Sequence, residues 1–434
     1  MDEQRECIED ALSAPPLLVL KIAQRLWAIS DQGLSSVTNF AFAVVAARAL
    51  EVSEFGFYAV LAAIYWLVIG SSRAIVGETL LISEKIEIID TADRSATPVA
   101  TMFIGALGGA VVAGLAVVLP HRATDLLTLA IFLPVLAYQD GLRYLCFASR
   151  RYRTAFASDL SWLFVFLVVH LLLTSTDIQP TVSTIMLSWA LGGLAACWII
   201  LPLGVVPWGL SAASDWLART RSLGMKTWGE FLVGSGIAQV VIFGIPVFSS
   251  LYVAAELKAA QLSVAPWQVA VTAMSVLAIP YISKRERSRG SAAGLRACVA
   301  LSGVAALAGA MYVAVLTLIP ESWGEQLFGD VWSSASKVAP VFGAAATLIA
   351  MSQSVVYLMR SQGRSGRLLI ARLVLAPITI FLALGGAVKF GASGAAWGLT
   401  LSAMATLTIW WGLAVHNYRR FEAQKAEMFS EATT

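Results

Sequence analysis

Apolar residues run through this chain in blocks of about twenty, separated by short joints rich in charge, Gly, Pro or Ser. A helix rising ~1.5 Å per residue needs about 20 residues to cross the ~30 Å hydrocarbon layer of a bilayer. The pattern therefore predicts membrane-spanning helices near 24–48, 57–82, 97–119, 124–147, 156–174 and 182–204. A second set is predicted near 229–253, 260–283, 297–319, 338–359, 368–387 and 394–415. The fold class read from this is an all-α integral membrane protein with twelve transmembrane helices.

The basic residues test that count, because Lys and Arg accumulate in short cytoplasmic loops. With the N-terminus inside, most of the 30 Lys and Arg fall in inside segments, including Arg150, Arg151, Arg153, Arg219, Arg221, Lys226, Lys284, Arg285, Arg360, Arg364, Arg367 and Arg372. The outside loops hold only Arg122, Lys258, Lys337 and Lys389. One miscounted span would invert every later loop, so the alternation supports twelve crossings with both termini cytoplasmic.

Composition narrows the class further. The 434 residues are 58% hydrophobic and 13% charged, against about a quarter charged in soluble domains. A net charge of +3 is too even for a nucleic-acid partner, which needs a concentrated basic surface. Cys7, Cys146, Cys197 and Cys298 are scattered and suggest neither disulfides nor a metal cluster. The acidic start, with Asp2, Glu3, Glu6, Glu9 and Asp10, is the reverse of a basic signal-peptide n-region, so the segment is expected to be retained.

The longest inner connection, with Asp215, Trp216, Arg219, Arg221 and Lys226, reads as an interfacial amphipathic linker dividing the spans six and six. The expected organisation is a cytoplasmic segment 1–23, a first lobe 24–204, the linker 205–228, a second lobe 229–415 and a cytoplasmic tail 416–434. Arg25 and Trp27 begin span 1 as Lys226 and Trp228 begin span 7, a weak internal repeat of the kind transporters use, with substrate between the repeats.

An ionisable side chain at mid-bilayer costs ~2.5–3.5 kcal/mol on insertion scales and is a functional candidate by default. Those away from the interface are Asp31 in span 1, Arg73 and Glu78 in span 2, and Asp140 and Arg143 in span 4. Their depths, roughly 6–14 Å from the cytoplasmic edge, fall in one slab and suggest a polar vestibule. Asp31, Ser35 and Asn39 repeat every four residues, flanked by Gln32, Ser36 and Thr38, so one face of span 1 is not expected to meet lipid.

Asp31 is assigned a cavity or ion-coupling role, with Glu78 as a second ion-coupling candidate. Arg73 has no acid at i±3 or i±4, which leaves an anionic ligand or a pair with Asp31 or Asp140. Arg143 can be neutralised by Asp140 at i−3. Asp159 reads as a helix cap, and His170 as a buried neutral imidazole. No charged residue is expected well inside any span of the second lobe. No Walker A, HExxH, CxxC or GxSxG motif is present, so neither an enzyme nor a cofactor is expected.

The segments Asp31-Gln32-Gly33-Leu34-Ser35-Ser36-Val37-Thr38-Asn39-Phe40, Ala47-Arg48-Ala49-Leu50 and Glu54-Phe55-Gly56-Phe57-Tyr58 resemble the opening of polysaccharide flippases. These belong to the multidrug/oligosaccharidyl-lipid/polysaccharide exporter superfamily. Gly391-Ala392-Ser393-Gly394-Ala395-Ala396-Trp397-Gly398 resembles the small-residue start of that group's last span.

The resemblance implies two six-helix lobes around a central cavity in the plasma membrane. It implies alternating-access flipping of a polyprenyl-(pyro)phosphate-linked oligosaccharide from the inner to the outer leaflet, for cell-surface polysaccharide biosynthesis. Arg73, Arg143 and, at the mouth, Arg25 would meet the phosphates; Asp31, Gln32, Asn39 and Asp140 complete the candidate substrate set. The implied partners are membrane lipids, a coupling cation (H+ or Na+), and glycosyltransferases or a polymerase of the same pathway. A drug/cation antiporter of the same superfamily and a membrane glycan polymerase or ligase are the alternatives left open.

Overall fold

The structure is a computed structural model describing residues 17–83, 91–176, 179–200, 210–362 and 365–431. The tail with Cys7, the expected loop residue Lys85, Arg364 and the first part of the linker lie outside the described residues. Among those described, the chain is helical with no strand. A backbone in hydrocarbon must satisfy its own polar groups, which the helix does segment by segment.

The predicted spans are found in order. Helix α1 (Leu17–Ala49) is followed by α2 (Val52–Ser72), a π-turn at Arg73–Gly77 and α3 (Glu78–Ser83). Next come α4 (Thr91–Val118), α5 (Ala123–Ala148), α6 (Tyr152–Thr174) and α7 (Val182–Ile200). Helix α8 (Leu210–Phe231) runs through a second π-turn, Leu232–Gly236, into α9 (Ile237–Phe248). The chain ends with α10 (Leu251–Ser263), α11 (Ala265–Arg289), α12 (Ser291–Leu318), the short α13 (Glu321–Phe328), α14 (Trp332–Ser361) and α15 (Ser365–Glu431).

Nine helical stretches of the described residues are long and apolar enough to cross a membrane. The last, Gly366–Arg420, supplies two crossings, because α15 breaks at Phe390 and Gly391. Gly391 takes φ +63°, a conformation other residues resist, and this is where the small-residue run begins. The remaining two crossings are the more polar α1 and the pair α10–α11. Span 8 starts earlier than its apolar pattern suggests: Ser250 caps α10 by accepting from the Val253 N–H (3.3 Å), so Lys258 lies within a helix and not in an outer loop.

By contact the chain divides into two compact units. One comprises Met1–Asn39, Val68–Gln179 and Ser183–Thr227; the other comprises Phe40–Leu67, Pro180–Val182 and Trp228–Thr434. In the first, α4 and α5 pack through small residues, as membrane helices do where no hydrophobic drive separates helix from lipid. A Cβ on Gly141 would overlap Thr101 Oγ1 and lie 3.0 Å from Pro98 Cα. Helix α8 buries Ala213 and Trp216 against Val76, Leu80, Ala96 and Val99 while Arg219 and Arg221 stay exposed.

The first π-turn is held from outside. Widening the helix sends the Glu78 N–H back to the Arg73 carbonyl and changes the local bonding ladder. The Ala74 carbonyl is met by the Thr227 hydroxyl of α8 at 2.6 Å and by Thr79 Oγ1 at 3.3 Å.

The Gly141 contact gives a direct test. Gly141→Leu is expected to lower stability by about 1–3 kcal/mol through overpacking against Thr101 and Pro98. Thermal denaturation of the detergent-purified protein reads this as a lowered midpoint, and an unshifted midpoint would rule out the close α4–α5 approach.

Candidate functional site

Helix α5 carries Asp140 and Arg143 one turn apart, both buried, at 4% and 5% exposure. Their spacing allows a pair along the helix, but each takes partners from other helices. Arg73 Nε lies 3.0 Å from both Asp140 carboxylate oxygens and its Nη2 lies 2.6 Å from Oδ1, a forked arrangement that fixes direction as well as distance. Arg143 Nη2 donates to Asp31 Oδ2 at 2.6 Å, and its Nε lies 3.2 Å from Asp159 Oδ2. The Arg143 guanidinium also sits over the Phe147 ring, 5.1 Å from its centroid.

Four helical segments thus meet in one chain of ion pairs: Arg73 on the first π-turn, Asp140 and Arg143 on α5, Asp31 on α1 and Asp159 on α6. Three carboxylates face two guanidiniums, so full ionisation would leave one negative charge uncompensated inside the cluster. Asp31 is fully buried, and its second oxygen, Oδ1, has no hydrogen-bond partner among the described residues. The arrangement is chemically suited to hold one proton or one small cation at the Asp31–Asp159 end. Arg73 is the cluster's opening to its surroundings, with 27% of its side chain exposed.

Several expectations change. Asp159 is not a cap: α6 begins at Tyr152, and Asp159 lies two turns inside it, paired with Arg143. Asp140 pairs with Arg73, one of the alternatives left open for that residue, and not with Arg143. The polar stripe of α1 is partly self-satisfied, with Asn39 Nδ2 donating to the Ser35 carbonyl (2.7 Å) and Ser36 Oγ to that of Gln32 (2.9 Å). Gln32 and Glu78 are exposed, and the side chain of Arg25 lies outside the described residues. His170 is half-buried with its ring against Phe166.

The second unit holds what the sequence reading missed. A cavity of about 690 Å³ is lined by residues of α9, α10, α11, α14 and α15 and of the second π-turn, and both Lys258 and Arg372 line it. The second lobe therefore does carry interior cations. The sequence reading counts Arg372 with an inner segment, although it lies just inside the predicted span 368–387, and places Lys258 in an outer loop, because the apolar run near 260–283 begins after it. Their positions, seven residues into α15 and α10, were the available signal. The cavity lining includes Gln261, Gln268, Gln353, Tyr357 and Trp267, and no Asp or Glu.

No family model and no curated protein sequence matches the chain. Solved structures do. An inward-facing multidrug resistance MATE family transporter of the MOP superfamily aligns with TM-score 0.67 at 11% identity, covering 91% of this chain and 99% of that one. The lipid II flippase MurJ, in an inward closed conformation, aligns with TM-score 0.64 at 10% identity over 90% of this chain and 87% of its own. The MATE multidrug transporter DinF-BH aligns with TM-score 0.63 at 13% identity, covering 92% of this chain and 96% of that one.

The chain shares the fold of these transporters and this flippase. That is the fold the opening segments and the small-residue start of span 12 resemble. It is shared by multidrug transporters and a lipid flippase.

The ion-pair chain makes a specific prediction. Arg143→Gln leaves Asp31 and Asp159 buried without their cation and is expected to cost about 3–5 kcal/mol. Adding Asp31→Asn should recover part of that loss, because it removes one of the stranded charges. Thermal midpoints of the two single variants and the double variant check this; strict additivity would show that Arg143 and Asp31 do not interact.

Proposed function

We propose that the protein is a flippase moving a polyprenyl-(pyro)phosphate-linked oligosaccharide from the inner to the outer leaflet of the plasma membrane by alternating access. This activity would serve cell-surface polysaccharide biosynthesis, alongside glycosyltransferases or a polymerase of the same pathway. The observation that carries the reading is the lining of the second-unit cavity. Amide side chains, hydroxyls and an indole suit a sugar chain, and two cations without a lining carboxylate oppose an organic cation.

The first unit supplies the other half of the cycle. Arg73, forked onto Asp140 and partly exposed, exchanges that carboxylate for a phosphate of the substrate. Asp31, with an unbonded oxygen, takes up the proton or cation that the surplus carboxylate calls for, and this biases the pairing of Arg143 between Asp31 and Asp159. The same surplus charge is the observation favouring the second reading, a drug/cation antiporter, whose coupling would also run through Asp31.

Proteoliposomes holding a fluorescent polyprenyl-diphosphate oligosaccharide distinguish the two readings. The wild-type protein should flip the lipid and leave a soluble cationic dye untouched. Asp31→Asn should abolish flipping while the folded protein remains. Dye efflux without lipid flipping would establish the antiporter, and wild-type flipping by Asp31→Asn would remove Asp31 from the coupling step.

A further inference from the structure

We infer that the second-unit cavity is a binding chamber for a negatively charged saccharide, with Lys258 and Arg372 as its anion-binding pair. The inference rests on the proposed flippase reading and names the chemical class of the glycan. It begins from a contrast between the units. In the first, Arg73 and Arg143 are matched by the carboxylates of Asp140, Asp31 and Asp159. In the second, Lys258 and Arg372 form no ion pair among the described residues.

The surroundings of each cation are defined. Lys258 Nζ donates to Gln261 Oε1 at 3.3 Å, a neutral partner. The Arg372 guanidinium lies over the Trp410 ring, 5.2 Å from its centroid. The charges that reach it are Arg360 and Glu230, which oppose each other in sign. The backbone makes room for this guanidinium: a Cβ on Gly234, within the second π-turn, would lie 3.2 Å from Arg372 Nη1.

Trp267 and Trp410 also belong to the lining. Two cations with no acidic side chain in the lining specify a ligand carrying negative charge. Gln261, Gln268 and Gln353 add amides that donate and accept, which a simple inorganic anion does not need and sugar hydroxyls do. The volume, about 690 Å³, is within the roughly 300–1,000 Å³ of pockets that enclose small ligands.

A carboxylate on the sugar chain and a phosphate at its lipid linkage share this anion chemistry, and the test separates them. Full-length protein in nanodiscs is titrated calorimetrically with trigalacturonate, with its fully methyl-esterified neutral form, and with inorganic diphosphate. Trigalacturonate should bind at least about tenfold tighter than the ester, the effect of a charge-assisted contact. Lys258→Gln and Arg372→Gln should each erase most of that preference and leave ester binding unchanged. If Arg372→Gln does not fold, Lys258→Gln and the charge-keeping Arg372→Lys decide the matter.

Equal binding of acid and ester overturns the chamber, as does a preference that survives both charge removals. Diphosphate binding at these two residues, more tightly than the saccharide, overturns the sugar assignment in favour of the linkage. No lipid-linked substrate and no translocation enter the measurement. Loss of flipping with uronate preference intact therefore tells against the function alone.

Discussion

Everything in the first unit depends on one constraint: Arg143 is buried to 5% exposure and cannot be left without anions. A guanidinium does not deprotonate, so its charge must be answered by neighbours wherever the fold places it. Here the answer comes from α1 through Asp31 and from α6 through Asp159, and one turn away Asp140 binds Arg73 in the same way. The ion pairs therefore fix which helices are adjacent and in what rotation. Apolar side chains alone specify neither between helices that all face lipid-like surroundings. Such pairs are weak evidence for net stability, since desolvation offsets most of their attraction, but they are strong selectors of arrangement.

The backbone obeys the same rule. A π-turn alters the ladder of a helix where no water is at hand, and the first is repaired from another element, the Thr227 hydroxyl meeting the Ala74 carbonyl. Each π-turn lies beside an interior arginine: Arg73 opens the first, and Gly234 of the second abuts Arg372. Widening the helix re-aims a long side chain and opens space next to it. The two turns occur in different places relative to their cations, so they are independent solutions to the same packing problem.

The twelve spans were legible because hydrocarbon thickness and helix rise allow only one length scale, and the Lys/Arg alternation checked the count. The first-unit charges were legible as candidates because any buried charge stands out against an apolar run. Their pairing was legible only in part: Arg73 with Asp140 stood among the alternatives, while the partners of Arg143 did not. Asp140 and Arg143, three apart, read as a pair along α5, and only the tertiary structure shows each turned to a different helix. Asp159, near the start of an apolar run, read as a cap, because sequence alone does not show that α6 begins seven residues earlier. Lys258 and Arg372 were lost by the bookkeeping that succeeded elsewhere: assigning every cation near a span edge to a loop serves the orientation count as a whole, even though Lys258 then falls outside, and hides cations that lie a turn or two inside.

Recovering those two residues reverses the electrostatic picture of the protein. The first unit, which holds the conspicuous charges, spends them on itself: two guanidiniums are consumed by three carboxylates, and what remains is a place for one cation. The second, which looked uncharged, keeps two cations in the lining of a cavity with no lining acid. Within the proposed function the two kinds of site are best kept apart, since a carboxylate close to an anionic cargo would repel it and a spare basic side chain would oppose a cation bound at Asp31. Residues that pair internally can respond to a single proton by re-pairing, while residues left unpaired can respond only to a ligand. The distribution of charge thus sets apart a self-paired cluster in one unit and unpaired cations in the other.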